Sequence, residues 1–450
     1  MKGEFTMAEK TFPKDFIWGS ATASYQVEGS PLADGAGPSI WHRFSHTPGT
    51  THDGETGDIA CDHYNRYKED IKLMKSLGLK AYRFSISWSR IFPNGKGKIN
   101  EKGVDFYNRV IDELLKADII PFVTIYHWDL PAALQDIGGW TNRDIAGWFG
   151  DYADYLFQRF GDRVNHWITL NEPWVMAFVG HMYGTHAPGM RDIYAAFTVA
   201  HNELRAHSKA VDAFRSEGIK GKIGITLSNG SHDPASDSLE DTMAAEMTHE
   251  FSNYPLFLNP IFRGKYPEHI ESFAKEFLPK EYEKDMEEIK RPIDFVGINY
   301  YSGDLVKADP NAPMGVKITE RGLPKTEMGW EIYPEGFYKI LKGAQDTYNP
   351  KEIYVTENGA AFDDKVEGDS VHDEKRIEYL KAHISQAHKA IEDGVKLKGY
   401  FVWSLMDNFE WAEGYSKRFG ICYVDYKTQK RIIKDSAKWY SNVISKNAIE

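Results

Sequence analysis

With 450 residues, 42% of them hydrophobic and 27% charged, the chain has the composition of a globular protein that can bury a large core without disulfide staples. Its 66 acidic residues outnumber the 54 basic ones, for a formal charge of −12. That sign, with no basic stripe along the chain, argues against nucleic acid or an anionic membrane as partner. Cys61 and Cys422 are the only cysteines and are expected reduced and buried. No stretch approaches the ~20 apolar residues of a membrane span, and the N-terminus lacks an apolar run of signal-peptide length, so a cytoplasmic location is expected.

In chain order, residues 1–11 read as a polar tail with a second methionine at position 7, and residues 12–450 as one domain. Phe16-Ile17-Trp18-Gly19 opens the first strand, and the Pro, Gly and Asp-rich stretch 31–58 reads as a long loop. Residues 62–77 have helical spacing and stop at Gly78; residues 80–87 alternate as a strand. Phe106, Val110, Ile111 and Leu114 mark a helix face, residues 119–128 a strand around Pro121, and residues 145–160 a helix. The strand from about 165 ends in Asn171-Glu172-Pro173, because proline cannot donate to a ladder. A helix over 194–214, a strand at 222–227, helical segments to 289 and a strand at 293–300 follow. Residues 302–330 read as loop, 334–345 as helix, and 353–357 as a strand ending at Glu357. Helical spacing at 377–391, a strand at 399–403 and a final helix near 436–444 complete the chain. Eight strands, each followed by helix, imply parallel pairing and a closed (β/α)8 TIM barrel with elaborated βα loops. A doubly wound open sheet is the alternative, but no Gly-x-Gly-x-x-Gly or Gly-x-x-x-x-Gly-Lys-Ser/Thr motif supports it.

In such a barrel the active site lies at the carboxyl ends of the strands. Arg83, His127 with Trp128, Asn171 with Glu172, Asn299 with Tyr301, Glu357 and Trp403 collect there. Singly, each has a structural explanation: an ion-pair partner, a half-buried histidine, a core tryptophan. Together they offer two acids, hydrogen-bond donors and flat rings, as sugar cleavage requires. One carboxyl must hold a proton for the leaving oxygen while the other attacks the anomeric carbon. A cation beside one glutamate keeps it ionised, and its charge raises the pKa of the other. Arg83 is the candidate cation and Tyr301 a candidate donor to the nucleophile. A retaining enzyme needs the carboxyls about 5–5.5 Å apart and an inverting one a wider gap, a spacing left open at this level.

The chain resembles family 1 glycoside hydrolases of the β-glucosidase type. The resemblance rests on the run from Phe16 to Gly29, on Thr169-Leu170-Asn171-Glu172-Pro173 and on Tyr354-Val355-Thr356-Glu357-Asn358-Gly359, in the family's order from Phe12 onward. It implies a retaining double displacement without cofactor or metal, with Glu172 as general acid/base and Glu357 as nucleophile. It further implies that Asn171 binds the sugar 2-hydroxyl, and that Gln26, His127, Glu410 and Trp411 hold the other glycone hydroxyls over Trp403. Asn299 and Tyr301 would support the nucleophile, Phe419 would close the glycone pocket, and Trp330 would face the leaving group. Relatives that cleave thioglucosides carry glutamine where this chain has Glu172. Relatives acting on 6-phosphorylated sugars lack the glutamate of Asn408-Phe409-Glu410-Trp411, and a carboxylate there repels phosphate. The expected substrate is therefore a small unphosphorylated β-glycoside, with glucose, galactose or fucose as glycone.

Two rival readings remain: a barrel that binds sugar without cleaving it, and a metal-dependent hydrolase suggested only by 16 histidines. No His-x-His or His-Glu-x-x-His occurs, and His181/His186 and His383/His388 are five apart, off a common helical face. Asn229-Gly230-Ser231 fits a glycosylation sequon, read as chance without a secretory signal. Oligomeric state is open.

Overall fold

The computed structural model describes residues 10–450. Eight parallel strands close on one another: β1 (Ile17–Ala21), β2 (Ala81–Ser85), β3 (Ile120–Tyr126), β4 (His166–Asn171), β5 (Lys222–Pro234), β6 (Phe295–Ala308), β7 (Ile353–Asn358) and β8 (Leu397–Trp403). Each pairs with its sequence neighbours, and β8 pairs with β1 to shut the barrel. The strands are rich in Ile, Val and aromatics and buried on both faces, as parallel strands covered by helices must be. Inside, Phe122 stacks on His166 (4.1 Å between centroids) and packs against Phe401 (4.7 Å), so the barrel floor is filled. Gly19 of β1 makes room for this plug: a Cβ there would lie 2.5 Å from the Phe401 ring.

The outer helices show why their sequences fold as they do. In Glu101–Lys116, Val104, Tyr107, Val110, Ile111 and Leu114 recur at three- and four-residue spacing and are buried. Ile193–Ser216 is started by Asp192, whose Oδ1 accepts from the backbone of Tyr194 (2.8 Å) and Ala195 (3.1 Å), a cap typically worth about 1 kcal/mol. Among the described residues no helix is long and apolar enough to cross a membrane.

The structure departs from the sequence reading in several places, and within the expected 31–58 loop it forms the short helix Ile40–Ser45, started by Ser39, whose hydroxyl accepts from His42 N–H. Strands β5 and β6 run past the barrel rim as a paired ribbon, Ser231↔Gly303 to Pro234↔Val306, and β6 turns back through Val316–Thr319. Part of the expected 302–330 loop is therefore strand; its polar residues conceal a ladder that only the neighbouring strand supplies. Lys10 and Thr11, assigned to the tail, pair antiparallel with Ile449 and Ala448, which moves that boundary forward; residues 1–9 lie outside the described residues. Val175–Tyr183, given no element in the sequence reading, is π-helical.

Behind β7 and β8 lies a buried ionic network. Lys434 Nζ donates to Asp364 (2.5 Å) and Asp407 (2.7 Å), Arg376 binds Asp364 and Asp373, and Arg418 binds Asp407. Lys434 and Asp407 are fully inaccessible to solvent. Removing one partner strands a buried charge, so Lys434→Met is expected to cost about 3–5 kcal/mol, read as a fall in the urea midpoint.

Candidate active site

The site is built where β4 and β7 end. Pro173 stops β4, and Glu172 takes a left-handed backbone (φ 46°) while its N–H still donates to Thr226 O (2.9 Å). Trp128 (φ 74°) and Trp411 (φ 50°) adopt the same disfavoured region. Such conformations cost on the order of 1–3 kcal/mol each and are held by surrounding contacts, a pattern typical of functional sites. Here they turn one carboxyl and two indoles into a single cavity of about 1030 Å³, counting its open mouth.

Both carboxyls line that cavity, in opposite surroundings. Arg83 Nη1 donates to Glu357 Oε1 at 2.6 Å, and Tyr301 Oη donates to Oε2 at 2.6 Å. Arg83 is itself fixed by Thr124 Oγ1 (3.1 Å), Thr356 O (3.0 Å) and Asn171 Oδ1 (2.6 Å). Among the described residues no cation is in contact with Glu172; its Oε1 accepts from Asn299 Nδ2 (2.8 Å), which also reaches Asn171 Oδ1 (3.1 Å). Thr356 Oγ1 donates to Asn299 Oδ1 at 2.7 Å, which fixes the amide's orientation. An amide and a guanidinium, meeting on Asn171 Oδ1, thus tie the two carboxyls into one rigid unit.

The electrostatics follow. Burial, then the charge of Glu357, push Glu172 up to about 8, against the pull of the Asn299 hydrogen bond. Burial also raises Glu357, but Arg83 and Tyr301 oppose it, so Glu357 ionises first of the pair. Burial, then the Glu357 charge, carry Tyr301 well above its ordinary range and keep it a donor. Glu410 is raised to about 8 by burial and by Glu357.

These shifts predict two pH effects of opposite origin. A proton donor works only while protonated, so kcat/KM is expected to fall as pH rises through about 8, and Glu172→Gln should remove that limb for substrates that need no acid. Glu172 and Glu410 have folded-state values above their unfolded value of ~4.5. Their contribution to stability is therefore full below that value and lost as pH rises through about 8. Glu410→Gln is accordingly expected to raise the melting temperature at pH 9 and leave it unchanged at pH 4.

The remaining residues expected from the sequence fall into three positions. His127, Trp403, Glu410 and Trp411 line the inner wall with Trp128, and Tyr301, Trp330 and Phe419 face them. Tyr301 and Trp330 pack at 5.5 Å between ring centroids, and Trp330 and Phe419 at 6.2 Å. Arg83, Asn171 and Asn299 lie beneath the cavity, almost wholly buried. Gln26 sits behind Glu410: its Nε2 donates to Asn408 Oδ1 (3.0 Å), Phe409 O (2.9 Å) and Glu410 Oε2 (3.4 Å), leaving Oε1 without a protein partner.

His127 Nε2 meets Asn171 Nδ2 at 2.9 Å, and Asn171 Oδ1 is already taken by Arg83 and Asn299. The amide must therefore donate, which places the imidazole proton on Nδ1, a buried atom with no protein partner. Burial and Arg83 hold His127 well below its usual range, so it stays neutral. Among the described residues, His127 on the inner wall thus keeps an unsatisfied donor, Nδ1, and Gln26 behind Glu410 an unsatisfied acceptor, Oε1.

Ser228, Val175, Val179 and Met328 also line the cavity and were not singled out from sequence, and His186, considered there only as a metal ligand, lines it too. Val175 and Val179 follow β4 directly, and in a barrel any such loop walls the mouth, which is the signal that could have found them.

The family model described as glycosyl hydrolase family 1 matches residues 8–449. The chain is 67% identical over 441 residues to a 1,4-beta-D-glucan glucohydrolase of Thermotoga neapolitana, covering 98% of this chain and 99% of the relative. It is 66% identical over 445 residues to beta-glucosidase A of Thermotoga maritima, covering 99% and 100%. The fold superposes with a TM-score of 0.97 on a T. maritima family 1 glycoside hydrolase complexed with a cyclophellitol analogue transition state mimic, at 66% identity and 98% and 100% coverage.

Proposed function

The chain belongs to glycosyl hydrolase family 1, and on that premise we propose how its residues divide the work of cleaving a β-glycoside. It is a glycosyl hydrolase of the β-glucosidase type, acting with retention on terminal β-D-glycosyl residues. In our reading Glu357 attacks the anomeric carbon while Glu172 protonates the leaving oxygen. Glu172, then ionised, draws a proton from the incoming water that displaces Glu357. The observation that carries this division is the asymmetry of the pair: Arg83 and Tyr301 grip Glu357, whereas Glu172 receives only an amide.

The proton's path back is consistent with those environments. Once Glu357 is esterified its charge disappears, the largest charge-based cause of the high Glu172 pKa goes with it, and Glu172 becomes able to stay ionised as a base. Asn171 retains one amide hydrogen, available to the sugar 2-hydroxyl. His127 Nδ1 and Gln26 Oε1 supply a donor and an acceptor to the outer hydroxyls, with Glu410 and Trp411 beside them and Trp403 as stacking floor. Asn299, expected from the sequence to support the nucleophile, donates to the acid Glu172 and also helps hold the pKa of Glu357 down; Phe419 closes the glycone pocket, and Trp330 lies on the leaving-group side.

We read the substrate as a small unphosphorylated glycoside. Glu410 and Gln26 can engage O4 of glucose or of its epimer, so galactosides and fucosides are expected to react as well, whereas a 6-phosphate would meet a buried acid at Glu410 and, among the described residues, no cation to pair with it. Residues 12–450, with Lys10 and Thr11 joined to them, form the catalytic domain. We place the protein in the cytoplasm, a reading supported by two buried unpaired cysteines. The decisive experiment follows a panel of p-nitrophenyl β-glycosides with product stereochemistry read by NMR. Release of β-configured sugar from the glucoside is expected. No release from any unphosphorylated glycoside would overturn the assignment, and an α-configured first product would overturn the roles of the two glutamates. EDTA is expected to leave turnover unchanged.

A further inference from the structure

Among the described residues, one cluster outside the catalytic cavity gathers the donor set of a transition-metal site. His42 and His46 stand one turn apart at the end of the short helix Ile40–Ser45, and Asp58 closes the same long loop. One ligand atom from each lies within 4.8 Å of the other two. His46 Nε2 is 3.0 Å from Asp58 Oδ2, and His42 Nδ1 is 3.5 Å from Asp58 Oδ1. We propose that His42 Nδ1, His46 Nε2 and the Asp58 carboxylate form an accessory site for a divalent transition ion, zinc being the best chemical match.

The hydrogen bonding favours an ion over a protein-only contact. His46 Nδ1 lies 2.6 Å from the carbonyl oxygen of His42, which can only accept, so the proton sits on Nδ1. A backbone carbonyl on the far nitrogen is the usual device that orients a metal-bound imidazole. In the neutral ring, Nε2 then turns a lone pair towards a carboxylate oxygen, a contact that only a positive species between them makes favourable. A proton on His46 would serve that contact alone. His42 Nδ1 and Asp58 Oδ1 are buried atoms that face each other without a hydrogen bond, and neither finds any other partner. A metal ion satisfies all three groups together.

The dimensions and chemistry point to zinc. Bonds of ~2.0–2.1 Å in a tetrahedral site put neighbouring ligand atoms roughly 3.3 Å apart; His46 Nε2 already lies 3.0 Å from Asp58 Oδ2, and His42 Nδ1 3.5 Å from the other oxygen of the same carboxylate, so both rings stand at about that distance from the Asp58 carboxylate. The three ligand atoms, all within 4.8 Å of one another, have to draw together, and the Asp58 and His46 side chains, 43% and 41% exposed, lie where solvent leaves room for that. Two imidazoles and one carboxylate suit a borderline ion over calcium or magnesium, which prefer oxygen alone. The fourth position faces solvent. The glycosidase reaction takes nothing from this ion, whose effect is to pin the loop that carries Trp41. That indole lies 4.6 Å from Trp411 and 5.2 Å from His186, both on the cavity wall.

The test is a titration of the chelator-washed full chain with Zn²⁺ by calorimetry, with Co²⁺ as a spectroscopic probe. One equivalent of Zn²⁺ is expected to bind, Co²⁺ to give the intense visible absorption of a tetrahedral ion, and saturating Zn²⁺ to raise the melting temperature by a few degrees. His46→Gln and Asp58→Asn should each weaken binding at least ~10-fold and abolish the thermal shift. His269→Gln, which removes a distant exposed histidine, should change neither. Both test positions are solvent-exposed, and unchanged metal-free melting temperatures would show that the variants fold. Absence of saturable uptake, undiminished uptake in the His46→Gln/Asp58→Asn double variant, or the weak spectrum of octahedral Co²⁺ would overturn the proposal.

Discussion

Replacing Glu357 with glycine is expected to lower turnover of an aryl β-glucoside by at least about 10⁴-fold, the scale on which loss of a covalent nucleophile is felt. The substitution leaves a small void beside Arg83 and Tyr301, whose donors formerly met the two carboxylate oxygens at 2.6 Å. A small anion fits that void and inherits their hydrogen bonds. Azide should therefore restore turnover of activated substrates and yield the α-glycosyl azide, because it attacks from the face Glu357 occupied while Glu172 still protonates the departing oxygen. A β-configured azide would show that the anion had entered from the other side, and would exchange the two assigned roles.

Glu172→Ala has the second largest expected effect, and its diagnostic value lies in its unevenness. Poor leaving groups such as an alkoxide or a sugar hydroxyl need the proton, so kcat/KM for cellobiose should fall about 10²–10⁴-fold. A dinitrophenyl glucoside leaves unaided, and its kcat/KM should change by less than about tenfold. Its steady-state turnover should still drop, because the same carboxyl activates water in the second step; azide should relieve that drop and give the β-glycosyl azide. Uniform losses across leaving groups would contradict the acid role. The protein environment sharpens this contrast: Glu172 is 6% exposed and touches no cation among the described residues, so nothing but its own proton keeps it neutral near pH 7.

Much of the architecture is legible along the chain. Runs such as Ile353-Tyr354-Val355-Thr356 carry the β-branched residues of a strand buried on both faces, and Val104, Tyr107, Val110, Ile111 and Leu114 carry the helical period beside it. Eight repeats of that alternation leave a closed parallel barrel as the economical solution, and the barrel places every strand-end residue at one mouth. The extensions of β5 and β6 escape this reading because Ser231, His232 and Gly303 have no strand pattern of their own; each is extended because the other strand is beside it. The pairing of Lys10–Thr11 with Ala448–Ile449 joins the two ends of the chain, a contact no local window contains. Val175 and Val179 were passed over for a related reason, since an apolar residue in a cavity wall has the same local pattern as one in the core.

The sequence by itself determined the fold class, because hydrophobic period, turn chemistry and the residues that end each strand are local properties. The family, and glycone-side residues such as Gln26, Glu410 and Trp411, came from the motifs the chain shares with relatives. The electrostatic division of labour was decided by tertiary structure. Glu172 and Glu357 are the same residue at the end of the same kind of strand; what separates them is that Arg83, from β2, points its Nη1 at one and not the other. Ionisation depends on burial and on charges a few ångströms away, brought together from positions 274 residues apart in the chain. The imidazole proton on His127 and the uncommitted oxygen of Gln26 are likewise settled by neighbours such as Asn171 and Asn408, which only the closed barrel brings within hydrogen-bonding distance.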